Sequence, residues 1–199
     1  MAKNKSIKIR RALISVSDKT GLAEFAKNLE KLGVEIISTG GTLKALKEKN
    51  IRAKDISEFT GSPEMMGGRV KTLHPKVHGG ILSRRNQDKK EVKKHGIEEI
   101  DLVVVNLYPF EETIKKKNIS IEEAIENIDI GGPTMVRAAA KNFNDVTIIT
   151  DKNDYLELIQ ELKKNKGNTS LRFREKMAGK AFNLTAYYDS VISEWFNQK

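Results

Sequence analysis

The chain has 199 residues, 38% hydrophobic and 32% charged, with a formal net charge of +9 and no cysteine. This is the composition of a folded globular chain, not of a disordered or fibrous one. The missing cysteines exclude a disulfide framework, a thiolate metal site and a cysteine nucleophile. No apolar run approaches the roughly 18 residues of a membrane-spanning helix. The basic amino terminus MAKNKSIKIRR lacks an apolar stretch and a cleavage site, so it does not read as a signal peptide, and a cytoplasmic location is expected. A basic balance favours anionic partners. Much of the excess nevertheless lies in runs such as Lys89-Lys90, Lys93-Lys94, Lys115 to Lys117 and Lys163-Lys164, which read as solvated helix faces.

In chain order, the apolar run at 11–16 predicts a strand. Leu22, Phe25, Ala26, Leu29 and Leu32 then repeat at helical spacing, and Gly33 closes that helix. A second strand at 34–38 leads through Ser38-Thr39-Gly40-Gly41-Thr42 into a helix carrying Leu43 and Leu46. Strand, loop and helix repeated in this way predict a parallel sheet with right-handed crossovers. Residues 57–83 lose the rhythm but keep Met65, Val70, Leu73, Val77 and Ile81, so they read as a structured loop with short helices. A polar helix follows at 87–95. The run Asp101 to Leu107 is the strongest strand, apolar on both faces as a buried parallel strand is. Helices are predicted after Phe110, after Ser120 and through Ala138 to Ala140, then a strand at 146–150 and a helix at 153–164. From Leu171 to Phe196 one long helix carries Met177, Ala181, Leu184, Tyr188, Val191 and Trp195, widened by Ala178, Phe182, Ile192 and Phe196. The whole reads as one α/β unit over 1–199, a core of about 10–150 followed by a helical part.

Eight of the 14 glycines form four adjacent pairs, at 40–41, 67–68, 79–80 and 131–132. Such pairs serve tight turns or let a ligand approach the backbone. The Ser38 to Thr42 loop is neither a Walker loop nor a dinucleotide fingerprint, and it suits a single phosphate at a helix N-terminus. Ser15, Ser17, Lys19 and Thr20 hold the equivalent place after the first strand, where Asp18 or Thr20 would also cap the next helix. Arg69, Lys71, Thr72, His74 and His78 crowd one stretch. Arg69 suits bidentate phosphate binding and Lys71 acid–base work. The His74 to His78 spacing lacks the glutamate of a zinc helix, so no metal is expected. Asn106 and Tyr108 end the strongest strand. Asp129 precedes Gly131-Gly132, whose N–H groups would form an oxyanion nest unless Asp129 simply caps the helix.

Taken together, SVSDKTGL, STGGT, GSPEMMGGRVKTLHPKVHGGIL, NLYPF and DIGGPTMVRAAAKN resemble the IMP cyclohydrolase domain of the bifunctional AICAR transformylase/IMP cyclohydrolase family. The resemblance implies a methylglyoxal-synthase-like fold: a mainly parallel central sheet flanked by helices, with a helical C-terminal extension. It implies a homodimer and ring closure of the ribotide FAICAR to IMP, with no metal or organic cofactor. Lys71, Tyr108, Asp129 and Lys141 would be catalytic, the last two as a paired relay if the Asp129 loop folds back. Ser15, Ser17, Lys19, Thr20, Ser38, Thr39, Gly40, Gly41, Thr42, Arg69, Thr72, Asn106, Gly131 and Gly132 would bind substrate. The family carries a transformylase domain after this one, and Lys199 falls near where it would begin. The competing readings are a lyase or a regulatory module on the same fold. RNA binding rests on charge alone, and the aromatics do not alternate with basic residues, so neither nucleic acid nor membrane is an expected partner.

Overall fold

The computed structural model describes residues 5–198. After β1 (Ile7–Lys8) the chain enters β2 (Arg11–Ser15), whose Ala12, Leu13 and Ile14 are fully buried. The helix α1 (Leu22–Lys31) lays Leu22, Phe25, Ala26 and Leu29 on the sheet and returns to β3 (Glu35–Ser38). Directly after it comes α2 (Gly40–Glu48), then a two-residue strand β4 (Lys54–Asp55) and α3 (Ile56–Thr60). The unrhythmic stretch holds a 3₁₀ turn at Met66–Gly68 and α4 (Pro75–Leu82), as its apolar residues suggested. The polar helix is α5 (Lys89–Lys94), with no buried residue. Next come β5 (Leu102–Val105), α6 (Phe110–Ile114), α7 (Ile121–Glu126) and α8 (Gly131–Lys141). The chain closes with β6 (Thr147–Ile149), α9 (Tyr155–Lys164), β7 (Asn168–Thr169) and α10 (Leu171–Asn197).

The main sheet has the order β4-β3-β2-β5-β6, with every neighbouring pair parallel. Val103, Val104 and Val105 of β5 are at most 1% exposed, because helices cover both faces. Burying each such side chain contributes roughly 1.5–3 kcal/mol. The chain builds outward from β2 to β4, then crosses back to start again at β5. Strand order therefore reverses between β2 and β5, and the loops leaving their carboxyl ends part there. In open α/β sheets that reversal opens the ligand crevice. Ser15 pairs with Val105 in register, so residues 16–18 and 106–108 leave the sheet side by side.

Three features escaped the sequence pattern. β4 and the antiparallel pair β1–β7 are two residues long, too short for any periodicity to register. Arg174 on α10 is 0% exposed, a charge where a core residue belongs. Its guanidinium donates to the carbonyls of Lys5, Phe143, Asn144 and Thr169, and burial pulls its pKa down to about 10. Lastly, Phe182 and Phe196 do not widen the buried stripe of α10: they are 39% and 52% exposed. The helix lies across α8 and β6 on one side only, so those two positions turn outward, with Phe182 under the Arg137 guanidinium.

Two glycine substitutions separate packing from helix propensity. A Cβ at Gly80 in α4 would lie 2.5 Å from the Glu98 carbonyl oxygen, which is backbone and cannot swing away. Gly179 in α10 has open space. Gly179→Ala should stabilise by about 0.5–1 kcal/mol. Gly80→Ala should destabilise by about 1–2 kcal/mol, because overpacking outweighs propensity. Urea midpoints of the two variants check both signs.

Candidate active site

At the strand reversal, Asn106 acts as a latch. Its Oδ1 accepts from the Ser17 and Asp18 N–H groups at 2.6 and 3.2 Å, and its Nδ2 donates to the Asp18 carbonyl at 3.0 Å. The Ser17 hydroxyl reaches Asn106 Oδ1 and the Leu107 carbonyl at 2.9 and 2.8 Å. These two residues, expected to hold a ligand, join the two loops to each other. Asp18 and Thr20 do not cap α1: Asp18 Oδ1 accepts from the Thr20 N–H and hydroxyl, its other oxygen meets Lys152 at 2.7 Å, and Gly21 stands at the cap.

Beside this latch the N-terminus of α2 is open. Thr39 occupies the cap position in extended geometry, yet its side chain caps nothing. Its hydroxyl is buried with no hydrogen-bond partner. A buried hydroxyl without a partner is costly unless an acceptor or donor meets it. Lys19 and Lys71 flank the same turn: a Cβ at Gly41 would lie 3.8 Å from Lys19 Nζ, and one at Gly40 3.4 Å from Lys71 Nζ. Gly40 has a φ of +51°, which brings the chain into the helix by a turn that favours glycine. The Ser38 and Thr42 hydroxyls are not available: Ser38 donates to the Ile14 carbonyl, and Thr42 bonds both the N–H and the carbonyl of Val16. They fasten the loop to the sheet. Ser15 ends β2 partly buried.

The segment after α3 links this turn to a second helix start. Lys71 Nζ is 2.8 Å from Glu64 Oε2, and Arg69 is paired with Glu126 of α7 at 2.5 Å. Thr72 is buried, and its hydroxyl would lie 2.7 Å from a Cβ on Gly131 at the start of α8. Asp129 sits there. Its Oδ1 accepts the Gly132 N–H at 2.8 Å, and the Tyr108 N–H also donates to it. Burial raises the Asp129 pKa above the usual carboxylate range, and those two donors counter it only in part. Tyr108 itself is 55% exposed. Lys71, Thr72, Tyr108, Asp129 and Gly131 thus belong to one face at the carboxyl edge of the sheet.

Two expectations need correction. The Gly132 N–H is held by Asp129, so the pair does not form a free oxyanion nest, and the capping role wins for Asp129. Lys141 ends α8, exposed, ten residues and about 15 Å along the axis from Gly131. The Asp129 loop does not fold back, so the chain forms no Asp129–Lys141 relay. His74 Nδ1 caps α4 by accepting the Lys76 N–H at 3.1 Å, which leaves Nε2–H for the Ser62 hydroxyl at 3.1 Å. His78 is held neutral-leaning by burial. Glu64 and Glu126, the carboxylates that pair with Lys71 and Arg69, escaped the sequence reading: the Met65–Val70 bridge folds Glu64 back to Lys71, and Glu126 meets Arg69 from a different helix.

A parallel sheet whose strand order reverses, with an open helix N-terminus at its carboxyl edge, defines an α/β domain with its crevice at that edge. The chain belongs to the MGS-like domain family, which matches residues 21–134, and residues 139–199 match the AICARFT/IMPCHase bienzyme family. It is 59% identical over 192 residues to the bifunctional purine biosynthesis protein PurH of Persephonella marina, covering 96% of this chain and 37% of that protein. It is 57% identical over 194 residues to PurH of Bradyrhizobium diazoefficiens, covering 96% of this chain and 36% of that one. The chain therefore spans little more than a third of these relatives. A crystal structure of ForH superposes with a TM-score of 0.86 at 35% identity, covering 94% of this chain and 97% of that one.

The half-buried Asp129 carboxylate makes a stability prediction. Its folded pKa is raised, so the native state favours the neutral acid. That contribution is present below the ordinary value of 3.8 and is lost as pH rises through the folded pKa. Asp129→Asn should therefore raise the melting temperature at pH 7, with a gain that shrinks as pH falls toward 3.8. Thermal melts of both proteins across pH 3.5–7.5 (roughly the carboxylate-to-neutral window) check it.

Proposed function

We propose that this chain is an IMP cyclohydrolase, closing FAICAR to IMP with loss of water. The observation that carries the reading is the open α2 N-terminus: a buried, unpartnered Thr39 hydroxyl at the cap, with the Lys71 and Lys19 ammonium groups beside Gly40 and Gly41 of the next two positions. A ribotide phosphate gives that hydroxyl an acceptor, and the helix dipole and both cations favour its charge. Arg69 and Thr72 extend the grip toward α8. The base then lies toward Asp129 and Tyr108. The purine relatives support this substrate class. A regulatory module on the same fold has no need of the Asp129 face.

The ring closure is already intramolecular, so the protein must hold one rotamer and move protons. The carboxamide nitrogen bonds the formyl carbon and gives up a proton, for which Asp129, with its raised pKa, is the acceptor. The formyl oxygen gains negative charge that the Lys71 ammonium offsets. It leaves as water, taking back the carboxamide proton from Asp129 and a second proton that the formamide N–H gives up through the Tyr108 hydroxyl as the ring C=N bond forms. Lys141 is assigned no step within one chain. We assign the activity to the cytoplasm and leave transformylase chemistry to none of these residues.

Absorbance at the IMP band, with this chain and FAICAR, tests the reading. Lys19→Ala should raise KM more than it lowers kcat, since it removes charge from the remote phosphate. Lys71→Ala and Asp129→Asn should each lower kcat by about 10²–10⁴-fold. Absence of IMP formation by the wild-type chain, or wild-type kcat in both variants, refutes it.

The same site argues for a homodimer. Met65 and Met66 beside Arg69, Ile121 and Ile125 on α7, and Ile130 before Gly131 are all exposed, Met66 by 76%. An apolar set of this kind around a polar site marks an interface, and a second copy is the occupant we infer. Sedimentation should give twice the mass of one chain, and Met66→Asp should shift it toward monomer. A wild-type monomer at micromolar concentration overturns the inference.

A further inference from the structure

The candidate chemistry is set in residues 69–132, yet a residue of the C-terminal helix reaches into it. Tyr188 of α10 is buried, and the Asp129 N–H donates to its hydroxyl at 2.8 Å. Its ring meets Phe110 edge-on, with centroids 6.4 Å apart and planes at 70°. Phe110 is 1% exposed and opens α6, two residues after Tyr108. One side chain thus holds the backbone of Asp129 by a hydrogen bond and braces the Tyr108 turn by packing. Trp195, two turns on, meets the same Phe110 ring at 5.6 Å and extends the brace.

The carboxylate needs that hold. The Asp129 carboxylate accepts from the Gly132 N–H, in the first turn of α8, and from the Tyr108 N–H. Both bonds hold the side chain, and neither holds the main-chain N–H of residue 129. The Tyr188 hydroxyl supplies the third point from a 27-residue helix packed on α8 and β6. We propose that Tyr188 is a positioning residue for the ring closure: its hydroxyl fixes the Asp129 main chain, and so sets the carboxylate's approach to the substrate amide. The inference rests on the assignment of Asp129 as proton acceptor.

Tyr188→Phe keeps the ring against Phe110 and removes only the hydroxyl. The neighbouring Tyr187→Phe is the control, since that hydroxyl goes to Glu111 at 2.6 Å on an exposed surface. Tyr188→Phe should lower kcat about tenfold with KM within twofold, as misplacement of a reacting group does. Tyr187→Phe should retain the wild-type kcat and KM. Asp129→Asn, assayed alongside, separates the two claims. An inactive Asp129→Asn with a Tyr188→Phe kcat within twofold of wild type overturns the positioning role and leaves the Asp129 assignment standing. An active Asp129→Asn overturns that assignment and this inference with it. Equal losses in Tyr187→Phe and Tyr188→Phe also overturn the positioning role, because they show only a loosened helix.

Discussion

The architecture depends on the reversal of strand order between β2 and β5. Two parallel strands at the middle of the sheet send their chains to opposite sides, and a crevice opens where they part. Diverging loops of this kind need a tie to keep a fixed separation. The Asn106 side chain supplies it by bridging residues 17 and 18 to the end of β5. Every candidate group is then placed relative to this latch: α2 on one side, and the Tyr108 turn with α8 on the other.

The electrostatics of the site follow from where its charges are held. Lys71 and Arg69 are each oriented by an exposed carboxylate, Glu64 and Glu126. Exposed pairs of this kind contribute little to stability, so their effect is to aim cations, and they can yield to a stronger anion. Asp129 is the opposite case. It is half-buried, with two N–H donors and no cation among the neighbours that lower its pKa. A carboxylate held that way disfavours its own charge, which makes it a better base while weakening the fold. Strain of this type is expected at functional positions.

The C-terminal helix is joined to the sheet domain by polar contacts at both ends of α8. Arg174 gathers carbonyls from residues 5, 143, 144 and 169 at the amino edge of the sheet. Tyr188 reaches the Asp129 N–H at the carboxyl edge. The boundary between the two matched families, near residue 135, therefore falls inside one packed body, within α8 itself.

The sequence by itself determined the parallel sheet, because a run such as Val103 to Val105 has one stable environment, between two layers of helix. It also determined the glycine-led start of α2 and the family resemblance, since both reside in contiguous residues. Tertiary structure decided the rest. Ser38, Thr42, Ser17 and Asn106 carry the same groups as ligand residues, and only the neighbours brought by folding turn them into fasteners. Lys141 lies twelve residues from Asp129 in sequence, but a straight helix turns that interval into distance. Tyr188 reads as one more apolar position in a helical stripe, because periodicity records which face is buried and not which hydroxyl meets a backbone N–H fifty-nine residues away.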